Sequence, residues 1–273
     1  MTASPSPTLL AVDAGNSRIK FGLFEPADEA SRLAASLAIG PEADVPWETI
    51  RGWSAGRFAA GVVTGSSPAG RDRVIASWPE DLPSPEVVVD PDRLGLVARV
   101  AEPGRVGIDR LLNAVAVNRL KRVGRAAVIV DSGTATTVDA VDGDGGFLGG
   151  AILPGFGLSA RALHRYTALL PLLTLDQLGP DPPDVLGTDT PSAIASGLVY
   201  GQLGAVRELV TRLCDRLGAP DAELYLTGGG GPLLAGLLDD ANLVPHLGLH
   251  GLAAVAVELG LVDTAVATRG EST

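Results

Sequence analysis

The chain has 273 residues, 46% of them hydrophobic, with a formal net charge of −11 and a sequence pI near 4.7. That length allows one large domain or two ordinary ones, and that apolar fraction supplies a buried core, which excludes a disordered chain. The global negative field repels phosphate backbones, so nucleic acid is not an expected partner.

The opening "MTASPSP" has neither a basic segment nor a long apolar core, so it reads as a short frayed tail and not as a secretory signal. No apolar run reaches the roughly 18 residues of a membrane span, so a soluble, cytoplasmic protein with no membrane partner is expected. "TLLAVDA" is a buried strand, "GNS" a turn, and "RIKFGLF" alternates Ile19, Phe21 and Leu23 against Lys20 and Gly22, completing a hairpin. "FAAGVVTGSS" and "PEVVVD" read as further strands, with a helix in "PAGRDRVIASWPEDL" between them. "GIDRLLNAVAVNRLKRVG" reads as a helix. Asp109 is its N-cap, Leu112, Val115, Ala116 and Leu120 form one apolar face, and Gly124 stops it.

A second unit then begins with the strand "AAVIVDS", the turn "GT" and the alternating strand "ATTVDAVD". "FLGGAIL" is strand-like, and a helix follows "PGFG" from about Leu158 to Leu169. "PLLTLDQLGPDPPDVLGTDTP" is an irregular loop. "SAIASGLVYGQLGAVRELVTRLCDRLG" is a long amphipathic helix that carries the single cysteine, Cys214, as a half-buried structural thiol. One cysteine excludes an intrachain disulfide and a cysteine-based metal site. "AELYLTGGGG" is a strand ending in glycines, and "PLLAGLLDD" and "GLHGLAAVAVELGLV" are helices. His164, His246 and His250 lack metal-ligand spacing and read as structural.

Two α/β units are thus expected, with mixed sheets and flanking helices. They meet in the helix 110–123, which gives domains 1–118 and 119–273. Each opens with a hairpin whose first strand ends in Asp-x-Gly, "VDAGNS" at 12–17 and "VDSGTA" at 130–135. Such a turn offers backbone N–H groups to a phosphate, and the adjacent aspartate can hold Mg2+ with phosphate oxygens and water. Two such loops across a cleft would clamp a nucleoside triphosphate, one jaw being Asp13, Gly15, Asn16 and Ser17, the other Asp131, Gly133, Thr134 and Ala135. The "TGGGG" run, with Gly228 and Gly229, would let a flat base approach the backbone. Lys20 has two readings, a phosphate contact or a solvated strand lysine. Asp109 also has two, a helix cap or, beside Arg110, a base for a hydroxy acid whose carboxylate Arg110 holds. "GGAILPGFG" either lines the acceptor pocket or is a sharp strand-to-helix connection.

In order, "DAGNSRIKFGLF", "VGIDRLLNAVA", "DSGTATTVDAV", "GGAILPG", "GTDTPSAIASGLVYG", "LTGGGG" and "LGLHGLAAVA" resemble the motifs of type III pantothenate kinases over nearly the whole chain. The resemblance implies an α/β fold of two tandem ribonuclease-H-like domains in the actin-like ATPase architecture. It implies a homodimer formed through the second domain, and ATP-dependent phosphorylation of pantothenate with Mg2+ and a monovalent cation, K+ or NH4+. On it, Asp13, Gly15, Asn16 and Ser17 fall in the first phosphate motif, and Asp109 is the general base. Gly107, Ile108 and Arg110 contact pantothenate, and Asp131 lies near the monovalent cation. Asp131 with Gly133 and Thr134 matches the second phosphate motif, and the "TGGGG" loop with Gly228 and Gly229 the adenosine side. Thr190 reaches the pantothenate pocket at the dimer interface. A non-catalytic regulatory protein on the same fold, or a kinase for another small hydroxy acid, are the competing readings.

Overall fold

A computed structural model describes residues 8–26, 31–54, 57–179 and 181–262. The tail expected at 1–7 lies outside the described residues. In chain order the elements begin with strands β1 (Leu9–Ala14), β2 (Ile19–Pro26) and β3 (Ser31–Ile39) and helix α1 (Trp47–Gly52). Strand β4 (Ala60–Thr64), helix α2 (Pro68–Ala76), strand β5 (Pro85–Val87) and helix α3 (Ile108–Leu120) follow. Next come β6 (Ala127–Ser132), β7 (Ala135–Val141), β8 (Phe147–Pro154), α4 (Phe156–Arg165), α5 (Leu175–Leu178) and α6 (Thr190–Leu217). The last are β9 (Glu223–Thr227), α7 (Gly231–Ala235), β10 (Ala241–Leu243) and α8 (Leu247–Glu258).

These elements form two five-stranded mixed sheets, ordered β3-β2-β1-β4-β5 and β10-β9-β6-β7-β8. In each, the first strand of a hairpin lies at the centre, antiparallel to its hairpin partner and parallel to the strand on its other side. The central strands β1 and β6 are continuous apolar runs because both faces are covered. In the first unit Leu10, Val12, Phe21 and Val63 form a core that Trp47, Trp53 and Trp78 close. In the second, Val128, Val130, Val138 and Leu226 pack under Phe156, Ile194, Leu198 and Val199.

The two compact units are residues up to Gly95 with Gly104–Ala116 and the chain from Gly248, and Leu96–Pro103 with Val117–Leu247. The contiguous division at 118/119 had put the C-terminal helix with the second unit. Instead α8 packs on the first sheet and on α3. Leu249 meets Gly22 of β2, His250 stands edge-on to Phe24 with ring centroids 5.3 Å apart, and Gly251 lies against the Leu112 backbone.

Three local expectations change. Helix α3 starts at Ile108, so Asp109 sits in its first turn and not at its N-cap. It ends at Leu120, which is 51% exposed, so the apolar face stops at Val117. The chain then breaks because buried Lys121 turns its ammonium onto the carbonyls of Arg125 (2.9 Å) and Gly143 (3.1 Å). Strands β3 and β10 and the short helices α1 and α5 are additional. In β3 the exposed positions include Ala34 and Ala38, so the apolar contrast between its faces is weak.

Candidate active site

In the first unit, β1 carries Asp13 to the end of a fully buried strand, opposite Lys20 on β2 and Thr64 on β4. Asp13 is 7% exposed, and its Oδ2 lies 3.7 Å from Lys20 Nζ. Lys20 thus stands beside the aspartate with its side chain still partly exposed. Gly15 N–H closes the turn by donating to Arg18 O at 3.0 Å, while Asn16 and Ser17 are exposed at its tip. Asn16 Nδ2 donates over 3.4 Å to Ser66 Oγ, which stands in the loop after β4.

Gly107, Ile108, Asp109 and Arg110 stand at the start of α3. Arg110 N–H donates both to Gly107 O (3.1 Å) and to Asp109 Oδ1 (3.0 Å). The Asp109 carboxylate is thus folded back over Gly107, where a Cβ would stand 2.5 Å from Oδ1. A side chain at 107 would push the Asp109 carboxylate out of this position. Ile108 is buried beneath, and Asp109 and Arg110 are half-buried. Asp109 Oδ2 has no hydrogen-bond partner among the described residues, so this carboxylate keeps an oxygen able to take a proton.

In the second unit, β6 delivers Asp131 opposite Thr227 of β9. Gly133 N–H donates to Ala135 O at 3.1 Å, and the Thr134 carbonyl is held by Gly155 N–H at 3.1 Å. Gly155 opens α4, and a Cβ on it would come within 2.3 Å of Gly133 O. The "PGFG" turn is therefore a sharp connection whose glycine packs against the turn at 133–135. Gly228 has φ +85°, and a Cβ on it would lie 2.5 Å from Asp131 Oδ1. Gly230 N–H donates to Ser132 O at 2.9 Å. In this unit Gly133 and Gly228 therefore both lie against Asp131.

Thr190 is the first residue of the 28-residue α6. Asp189 caps that helix by accepting from Ser192 N–H at 2.8 Å, and the Ser192 hydroxyl accepts from Asp189 N–H at 3.1 Å. The backbone N–H and then the hydroxyl of Ser192 hold the Asp189 carboxyl below its ordinary pKa. Exposed Thr190 borders a cavity of about 1160 Å³ between α4 and α6, walled by Leu158, Leu163, Tyr166 and Ile194. On α6, Cys214 packs against the core, and burial pushes its thiol pKa up.

Among the described residues there is no cluster of three or more metal-ligating side chains. The donors present, single carboxylates beside phosphate-type loops, suit a cation that arrives with phosphate oxygens and water. No helix among the described residues is long and apolar enough to cross a membrane. Ser66 was missed in the sequence, although "VTG" at 63–65 repeats as "LTG" at 226–228.

A family model for type III pantothenate kinase matches residues 9–212. A type III pantothenate kinase of Rubrobacter xylanophilus is 37% identical over 262 residues, covering 89% of this chain and 95% of that protein. One from Rhodospirillum rubrum is 34% identical over 253 residues, covering 89% and 96%. Among solved structures, a Campylobacter jejuni protein assigned to a Baf family of transcriptional activators aligns with TM-score 0.58 at 20% identity, over 92% of this chain and 98% of that one. A Sinorhizobium meliloti protein named as a 2-dehydro-3-deoxygalactonokinase aligns with TM-score 0.51 at 12% identity, over 92% and 99%. These two likenesses are of fold alone, two tandem ribonuclease-H-like domains in the actin-like ATPase architecture. From the family match and the relatives' identity over nearly their whole length, the chain belongs to the type III pantothenate kinase family.

Proposed function

We propose that this chain, as a cytoplasmic enzyme, transfers the γ-phosphoryl group of ATP to the primary hydroxyl of pantothenate. The products are 4'-phosphopantothenate and ADP, and the reaction opens coenzyme A synthesis. The observation that carries the reading is Asp109, whose carboxylate keeps one oxygen unpartnered beside Arg110. Asp109 accepts the hydroxyl proton as the phosphoryl group arrives, and Arg110 orients the substrate through its carboxylate. Gly107 and Ile108 shape that side of the pocket. The loops at Gly15–Ser17 and Gly133–Ala135 take phosphate oxygens, and Gly228 and Gly229 lie along the adenosine.

Asp13 would hold Mg2+ with the nucleotide, and Asp131 would hold K+ or NH4+. When bound, these cations neutralise phosphate charge. The protein acts as a homodimer, the apolar wall between α4 and α6 meeting a second copy so that Thr190 completes a pantothenate pocket at the interface.

The test is ADP release by the purified protein with Mg2+ and either potassium or ammonium. Turnover should require pantothenate. Asp109→Asn should lower kcat by about 10²- to 10⁴-fold, the usual worth of a positioned base, with ATP binding retained. No turnover with either cation overturns the proposal. Nucleotide binding without pantothenate binding would favour the regulatory alternative.

A further inference from the structure

We propose that Ser66, in the loop after β4, is an additional nucleotide-binding residue, its hydroxyl donating to a phosphate oxygen beside Asn16. The inference rests on the ATP-dependent reading above.

The argument starts from a second internal repeat. In the first unit Thr64 pairs in register with Asp13, and in the second Thr227 pairs with Asp131. Both threonines are buried, and each is followed by a glycine with positive φ, +136° at Gly65 and +85° at Gly228. Each glycine lies against the backbone of the residue after the aspartate. A Cβ on Gly65 would meet Ala14 O at 2.2 Å, and one on Gly228 would meet Ser132 O at 2.5 Å. Two residues on, Ser67 N–H donates to Ala14 O at 3.0 Å, as Gly230 N–H donates to Ser132 O at 2.9 Å. A proline-led helix follows in both, α2 and α7. The two loops therefore share one backbone design with Ser66 and Gly229 as their middle residues, and Ser66 meets the neighbouring turn at Asn16.

What differs is the side chain. Gly229 offers only backbone, whereas Ser66 offers a hydroxyl. The two serines of this loop have separate roles. Ser67 is occupied as the N-cap of α2, accepting from Gly70 N–H at 3.2 Å. The hydrogen bond of Ser66 is the long one from Asn16 Nδ2, in which Ser66 is the acceptor, so its own proton remains to be donated. Arg71 Nη1 donates to Gly65 O at 2.7 Å and so anchors the loop from behind. A half-buried hydroxyl and an exposed amide, side by side at the tip of the first Asp-x-Gly turn, are two neutral donors aimed at one anionic ligand. A phosphate oxygen is the acceptor such a pair suits, because hydrogen bonds to charged acceptors are the strong ones.

Neighbouring serines give the experiment its control. Affinity for a non-hydrolysable ATP analogue with Mg2+ is measured by calorimetric titration, and Tm by differential scanning calorimetry. Ser66→Ala should weaken the analogue about tenfold or more, as loss of a hydrogen bond to a charged group does, with Tm unchanged. Ser66→Thr keeps the hydroxyl and should recover most of the affinity. Ser67→Ala should do the reverse, lowering Tm through the lost cap while leaving the affinity intact. Wild-type binding with unchanged binding by Ser66→Ala overturns this inference and leaves the kinase reading standing. Weakened pantothenate affinity alone overturns it as well. A wild-type protein that binds no nucleotide overturns both.

Discussion

Gly228 and Gly229 are adjacent, but they are glycines for different reasons. Gly228 must be one, since its φ is +85° and a side chain would strike Asp131 and Ser132. Gly229 has ordinary space: a Cβ would sit 3.7 Å from Leu175 Cδ2. Gly133 resembles it, with its nearest contacts at 3.4 Å and 3.5 Å. Packing does not demand a bare backbone at 229 or 133, whereas close approach of a nucleotide, as proposed, would. Gly229→Ala and Gly133→Ala should therefore raise KM for ATP several-fold at unchanged Tm. Gly228→Ala should lower Tm by several degrees, as strain of about 1–3 kcal/mol does in a domain of this size. Steady-state kinetics beside calorimetry separates the two classes, and a fall in Tm for Gly229→Ala would remove the distinction. The strand-ending aspartates and glycine turns were legible in the sequence because each motif is local. Ser66 was not, because its contact with Asn16 spans 50 residues. Nor was the reason for Gly107, which depends on which way the Asp109 side chain folds.

Among the elements, α3 and α8 cross in backbone contact. A Cβ on Gly251 would stand 2.0 Å from Leu112 O, so alanine there requires the helices to part by about 1 Å. By helix propensity alone, glycine to alanine inside α8 should stabilise by about 1 kcal/mol. The crossing predicts the opposite. Leu112 lies one turn beyond Asp109, so Gly251→Ala should lower Tm and cut kcat by up to about 100-fold through misplacement of the base. A raised Tm with normal kcat would show that the crossing has slack. At the start of α6, the lowered pKa of Asp189 gives a pH test. Its folded pKa lies below its unfolded one, so the cap stabilises fully above about pH 4 and is lost as pH falls through the lower value. Asp189→Ala should lower Tm at pH 7, and its difference from wild type should vanish in stronger acid.

At the scale of the whole molecule, the duplication was visible from the 118-residue offset between Asp13 and Asp131, and the order of strands in the two sheets bears it out. The place of α8 was not visible. A helix at the end of the chain carries no local signal that its glycine face belongs against α3 in the first unit. Assembly is a similar case, because an amphipathic helix looks the same whether it covers its own core or a second copy. Helix α4 buries Phe156 and Ala160, yet it also shows solvent Leu158 and Leu163, with Tyr166 80% and Leu169 91% exposed just beyond. Leu172, Val185 and Leu186 are further exposed apolar side chains of the same unit. Apolar surface of this extent, bordered by Thr190, is what a second copy would cover in the proposed homodimer. A charge placed there should block the dimer without disturbing the core. Tyr166→Glu should elute as a monomer in size-exclusion chromatography with light scattering, keep its ATP-analogue affinity, and lose most pantothenate-dependent turnover because Thr190 no longer reaches its pocket. A monomeric Tyr166→Glu protein with full turnover would separate assembly from catalysis and remove Thr190 from the proposed substrate site.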